Sequence, residues 1–133
     1  VLGKFIASSD MVNFIKDHAA VLSTMGMLFP FLLSAILKSA QGSSTVALTT
    51  TAGIVAPLLP ALGFASPMSA TLVTMAIGAG AMTVSHANDS YFWVVTNFGA
   101  MSPEKGYKTQ TMCTLFLGIA GIIEIMILSL FLH

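Results

Sequence analysis

Residues 39–88 carry no Asp, Glu, Lys or Arg, yet a run of small hydroxyl residues, QGSSTVALTTT at 41–51, lies inside that stretch. A soluble protein would place such a run on a wet loop. Here apolar sequence long enough to cross a bilayer surrounds it, so hydroxyls and unpaired backbone groups fall at membrane depth. Hydrocarbon tolerates irregular backbone only where it is buried in protein or lines a water-filled cavity. The run therefore reads as half of a solute site in a membrane transporter, with SHANDS at 85–90 as the other half.

Composition supports the membrane setting. The 133 residues are 56% hydrophobic and 8% charged, with a mean hydropathy of +0.90, whereas soluble domains are roughly a quarter charged. Net charge is zero and no basic run exists, so nucleic acid has nothing to bind. The single cysteine, Cys113, excludes an internal disulfide and a multi-cysteine metal site. In its apolar segment it reads as an inert packing residue. The chain opens on Val1 in mid-pattern, and no signal-peptide pattern follows, which suggests a piece of a larger transporter built from repeats that meet at the site.

The expected fold is all-α, a polytopic integral membrane protein with broken or re-entrant helices. Residues 1–18 are too polar for a span and suit a hairpin limb, with Ser8, Ser9 and Asp10 as a helix N-cap. Residues 19–38 form a span: 19–37 are uncharged and roughly 28 Å long as a helix. Pro30 kinks it. Lys38 closes it, either snorkelling to the interface or facing an anionic solute. Residues 41–63 hold the polar break and a half-span that starts near Ser43 to Thr45 and ends near Pro57 to Pro60. Two prolines three apart rule out a straight helix there.

A broken helix is expected over 67–99, with Ser66 as N-cap and Pro67 at its first position. Ala76 and Gly80 form a small-xxx-small pair that lets another helix approach. As one straight helix, 68–99 would run roughly 48 Å, too long for a bilayer. The break belongs at 86–90, followed by a second half-helix at 91–98. Tyr91, Phe92 and Trp93 suit either an interfacial aromatic belt or a cavity wall. Residues 100–109, within GAMSPEKGYKT, read as an aqueous loop, and 110–132 as a last span. Glu124 inside that span costs at least ~2.5 kcal/mol in lipid and should face protein or water, as a structural carboxyl or a proton carrier. The lysines leave the orientation open.

The chemistry lies in the two breaks. Ser43, Ser44 and Thr45 open a half-helix, whose free N–H groups and partial positive end suit a carboxylate. Thr49, one turn on, extends the polar face. The competing reading is hydroxyls bonded back to their own helix. In the second break, His86 changes charge near neutral pH and Asp89 is costly at depth unless paired or hydrated. Either could carry a coupling proton while Asn88 orients solute hydroxyls; alternatively, His86 and Asp89 satisfy each other and the break only caps two helices. One His and one Asp three apart fall short of a metal ligand set, and no nucleophile has a base and orienter beside it in sequence. An enzyme is not expected.

LKSAQGSSTVALTTTAGIVAPLLP and AIGAGAMTVSHANDSYFWVV, in that order, resemble the C-terminal part of the gluconate permease (Gnt) family of proton-coupled symporters, within the ion transporter superfamily. GKFIASSDMVNFI upstream and YKTQTM downstream extend the resemblance over nearly the whole chain. It implies proton-driven uptake of gluconate or a related sugar acid across the bacterial inner membrane by a multi-pass protein. It carries solute-binding roles to Ser43, Ser44, Thr45, His86, Asn88 and Asp89. Family members often have arginine where Lys38 stands, and lysine lacks the two-pronged carboxylate fork. Glu124 matches no family motif. Beyond the proton no cofactor is implied, and the expected partners are the sugar acid and the bilayer, with homo-oligomerisation left open. The rival readings are another organic-anion carrier of the superfamily, sodium-coupled in one version, and a non-transporting membrane fragment.

Overall fold

A computed structural model describes residues 17–132, and these are helical without strands. The helices are α1 (Ala19–Thr24), α2 (Leu28–Gln41), α3 (Ser44–Val55, extended by a 3-10 turn at Ala56–Leu58), α4 (Pro67–Met82), α5 (Ser90–Phe98), α6 (Pro103–Gly106) and α7 (Met112–Phe131). The limb expected over 1–18, with its Ser8–Asp10 cap, lies almost wholly outside the described residues.

Local chemistry sets most boundaries. Gly42 takes a left-handed φ of 73° and donates its N–H to the Lys38 carbonyl, ending α2. The extended Ser43 then caps α3 by accepting from the Val46 N–H at 3.3 Å. Ser66 caps α4 through the Ser69 N–H at 3.1 Å, with Pro67 at the first helical position as expected.

Two expectations need correction. The single kinked span over 19–38 is two helices, and the break falls at Gly26 with φ 52°, not at Pro30. Pro30 sits in the first turn of α2, where its missing N–H would have had no helical partner anyway. The aqueous loop over 100–109 is mostly helix. Ser102 caps and Pro103 opens a helix that runs through a wide π turn at Tyr107–Thr111 into α7. Gly106, inside the expected loop, is buried against α5, where a Cβ would meet Thr96 Cγ2 at 2.5 Å and Phe92 Cζ at 2.8 Å. Its small size serves close packing. This end is still wet: Lys108 and Glu104 are exposed and paired at 2.7 Å.

α4 is the centre, packing against α2, α3 and α7. α7 buries only a narrow stripe, Thr114, Gly118, Ile122 and Ile125, at the i, i+4, i+8, i+11 spacing of one helix face. Its other faces, with Phe116, Leu117, Ile123 and Leu130, are exposed and apolar, and Cys113 lies exposed rather than packed. The continuous helix Pro103–Phe131 is long and apolar enough to cross a membrane; α2, α3 with its 3-10 turn, and α4 are shorter.

The α2–α4 contact depends on Gly80, where a Cβ would fall on the Phe31 carbonyl oxygen and lie 2.9 Å from Ser34 Cβ. Ser34 Oγ donates to the Ile77 carbonyl at 2.8 Å across the same seam. Gly80→Ala should push α2 off α4 and destabilise the protein by about 1–3 kcal/mol. Gly78→Ala, with open space at its Cβ, should be neutral or slightly stabilising. Thermal unfolding of the two variants in detergent checks the contrast.

Candidate functional site

The two polar breaks meet. α2 ends and α3 begins at residues 42–43; α4 ends at Met82 and α5 begins at Ser90, and the irregular segments between them touch. At Gly42 a Cβ would fall on the Asn88 carbonyl oxygen. Asn88 Nδ2 donates to the Ser39 carbonyl at 2.6 Å, satisfying an orphan acceptor at the end of α2. The junction thus joins the C-terminal ends of α2 and α4 to the N-terminal ends of α3 and α5.

Asp89 holds it together. It is the N-cap of α5, with Oδ1 accepting from the Tyr91 N–H at 3.0 Å. Its Oδ2 accepts from Ser85 Oγ at 2.7 Å and from Lys38 Nζ at 2.5 Å. Lys38 Nζ also donates to the Gly42 carbonyl at 3.3 Å. The lysine and aspartate side chains are 1% and 6% exposed. Lys38 therefore neither snorkels nor stands free toward a solute. Asp89 is paired with Lys38 and Ser85, not with His86. Buried opposite charges that pair and make further hydrogen bonds are the arrangement a low-dielectric interior permits.

Two threonines of the last helix reach the second break. Thr111 Oγ1 donates to the Ser85 carbonyl at 2.6 Å, and Thr114 Oγ1 accepts from the Ser85 N–H at 2.9 Å. Both backbone groups of Ser85 are thereby satisfied, which fixes its hydroxyl on Asp89. Sequence reading missed this pair. The available signal was two threonines three apart, on one face of an otherwise apolar helix.

A cavity of about 180 Å³ opens at the junction, lined by Lys38, Ser44, Met82, Ser85, Asp89, Tyr91, Thr114 and Leu117. Of the residues selected from sequence, Ser44 and Asp89 reach it. Ser43 is occupied as a cap, Thr45 is exposed on α3, and His86 is half-buried beside the cavity lining. Thr49 is exposed and its hydroxyl donates to the Thr45 carbonyl at 2.8 Å, the back-bonded arrangement. Glu124 lies exposed with Ile127 and Leu128, ~15 Å along α7 from Thr114, so it is not brought to the junction. The aromatic triplet divides: Phe92 is buried edge-on to Trp93, Tyr91 lines the cavity, and Trp93 Nε1 holds the Ala87 carbonyl at 2.8 Å. Among the described residues no three His, Cys, Asp or Glu side chains gather as metal ligands.

The sequence model of the GntP family permeases matches residues 1–131. The chain belongs to the GntP permease family. It is 36% identical to a gluconate permease of Pseudomonas aeruginosa over 122 residues, 91% of this chain and 26% of the relative. An inner membrane permease of Escherichia coli is 34% identical over 121 residues, 91% of this chain and 26% of that protein. A low-affinity gluconate transporter of Escherichia coli is 37% identical over 97 residues, 73% and 22% respectively. The chain thus spans about a quarter of the length of these relatives, which are named as permeases and transporters, not enzymes. No solved structure matches it. As a GntP permease the chain is a membrane protein, which accounts for its apolar outer surface.

Proposed function

We propose that this chain forms part of the solute path of a multi-pass inner-membrane permease that takes up gluconate or a related sugar acid together with protons. The observation that carries the reading is the meeting of the two breaks around a cavity containing a buried lysine. Two helix N-termini, those of α3 and α5, arrive at the same junction, and such ends favour an anionic carboxylate. Broken helices whose N-termini meet at a solute are a recurrent transporter arrangement. Ser44 and Tyr91 supply hydroxyls to a polyhydroxylated solute, with Ser43, Thr45, Thr49, His86 and Asn88 around the approach. The relatives named as gluconate permeases supply the substrate class.

Uptake of labelled gluconate into vesicles bearing the full encoded protein tests this. An inward proton gradient is expected to drive accumulation, and collapse of that gradient to abolish it. Accumulation that follows a sodium gradient instead would replace the proton with sodium. No uptake by correctly inserted protein, with no competition by any sugar acid, would overturn the substrate assignment.

A further inference from the structure

The cavity contains one fixed cation and one fixed anion, and they are bonded to each other. Lys38 reaches it from the last turn of α2 and Asp89 from the cap of α5, and both line its wall. The groups facing Asp89 are few. α2 contributes Lys38, α5 the Tyr91 phenol, and α3 and α7 the Ser44 and Thr114 hydroxyls. His86, in the same break, does not line the cavity. Among the described residues, the charge balance of this site is therefore set by the ion pair alone.

That balance restricts what can bind. A monoanionic carboxylate entering by itself would leave the buried site with net negative charge. A proton entering by itself would neutralise Asp89 and leave the Lys38 ammonium buried without its counter-ion. Either state pays for an uncompensated charge in a low-dielectric environment. With both present the site is neutral again: the solute carboxylate takes Lys38, and Asp89 becomes a carboxylic acid. Ser85 Oγ, held 2.7 Å from Asp89 Oδ2, can accept the acid proton by turning its own hydroxyl away.

Building on the sugar-acid reading above, we propose that the Lys38–Asp89 pair is the coupling device of this permease: solute carboxylate displaces Asp89 from Lys38 as Asp89 takes a proton. The exchange balances, one proton and one monoanion entering as one ion pair is replaced by another. Proton and solute then bind with reciprocal cooperativity, and the loaded site carries no net charge. Lys38 is a solute-contacting residue in this scheme, and Asp89 the proton site.

The test is proton uptake on gluconate binding to the purified full encoded protein in weakly buffered solution, with affinity followed over pH. Wild-type protein is expected to take up one proton per gluconate bound. Its affinity should fall about tenfold per pH unit once Asp89 is ionised in the free protein. In Asp89→Asn, which keeps a capping oxygen, the gluconate that binds should bring no proton, the pH dependence should flatten, and proton-driven accumulation should be lost. Lys38→Gln should weaken binding roughly tenfold to a hundredfold. Gluconate binding to wild-type protein without proton uptake overturns the proposal alone, even if the variants do not fold. So does an undiminished pH slope in Asp89→Asn. Absence of gluconate binding by wild-type protein overturns the substrate reading, and the proposal with it.

Discussion

Lys38→Met is expected to lower stability by about 3–5 kcal/mol, because it removes one partner of a buried ion pair and strands the other. Asp89 would keep only the Ser85 hydroxyl and the Tyr91 N–H. The same junction would lose the Lys38 bond to the Gly42 carbonyl. Replacing both charges, as Lys38→Met with Asp89→Leu, should recover most of the loss, since a buried pair exchanged for apolar groups of similar size is often near neutral. Recovery should stop short by about 1 kcal/mol, because leucine cannot cap α5. Thermal unfolding of the single and double variants in detergent measures the coupling. A double variant as unstable as the two single losses added together would show that the two charges do not support each other.

Gly42→Ala is expected to cost about 2–5 kcal/mol and to abolish transport. Two costs add there. A left-handed φ of 73° disfavours any residue with a Cβ by roughly 1–2 kcal/mol. The Cβ would also overlap the Asn88 carbonyl oxygen, and such overpacking costs about 1–3 kcal/mol. Gly63→Ala separates the terms: its φ is 84° but nothing lies within 4 Å of its Cβ. It should lose only the conformational part and retain uptake. Equal losses at Gly42 and Gly63 would mean that contact between the breaks contributes nothing.

Much of this architecture was legible locally. Ser43 and Ser66 act as N-caps, Pro67 opens its helix, and α4 stops short of His86, because caps, proline and charge-free length act over a few residues and are written in order. The errors share one cause. Pro30 was expected to kink the first span, and only the folded chain showed that proline fits the first turn of α2 while Gly26 makes the bend. Gly106 fell inside an expected loop because its packing role, admitting Phe92 and Thr96 of α5, depends on a neighbour that local sequence does not identify.

The site divides the same way. By itself, the sequence determined that two polar breaks interrupt apolar helices and that each carries groups too costly to leave in lipid. It also identified Asp89 as a residue in need of a partner. Only the tertiary structure decided who that partner is. Lys38 stands 51 residues from Asp89 along the chain, and Thr111 and Thr114 lie 26 and 29 residues beyond Ser85. Desolvation is a property of position, so sequence states the penalty; its compensation is a contact between distant segments, and exists only once α2, α5 and α7 have packed.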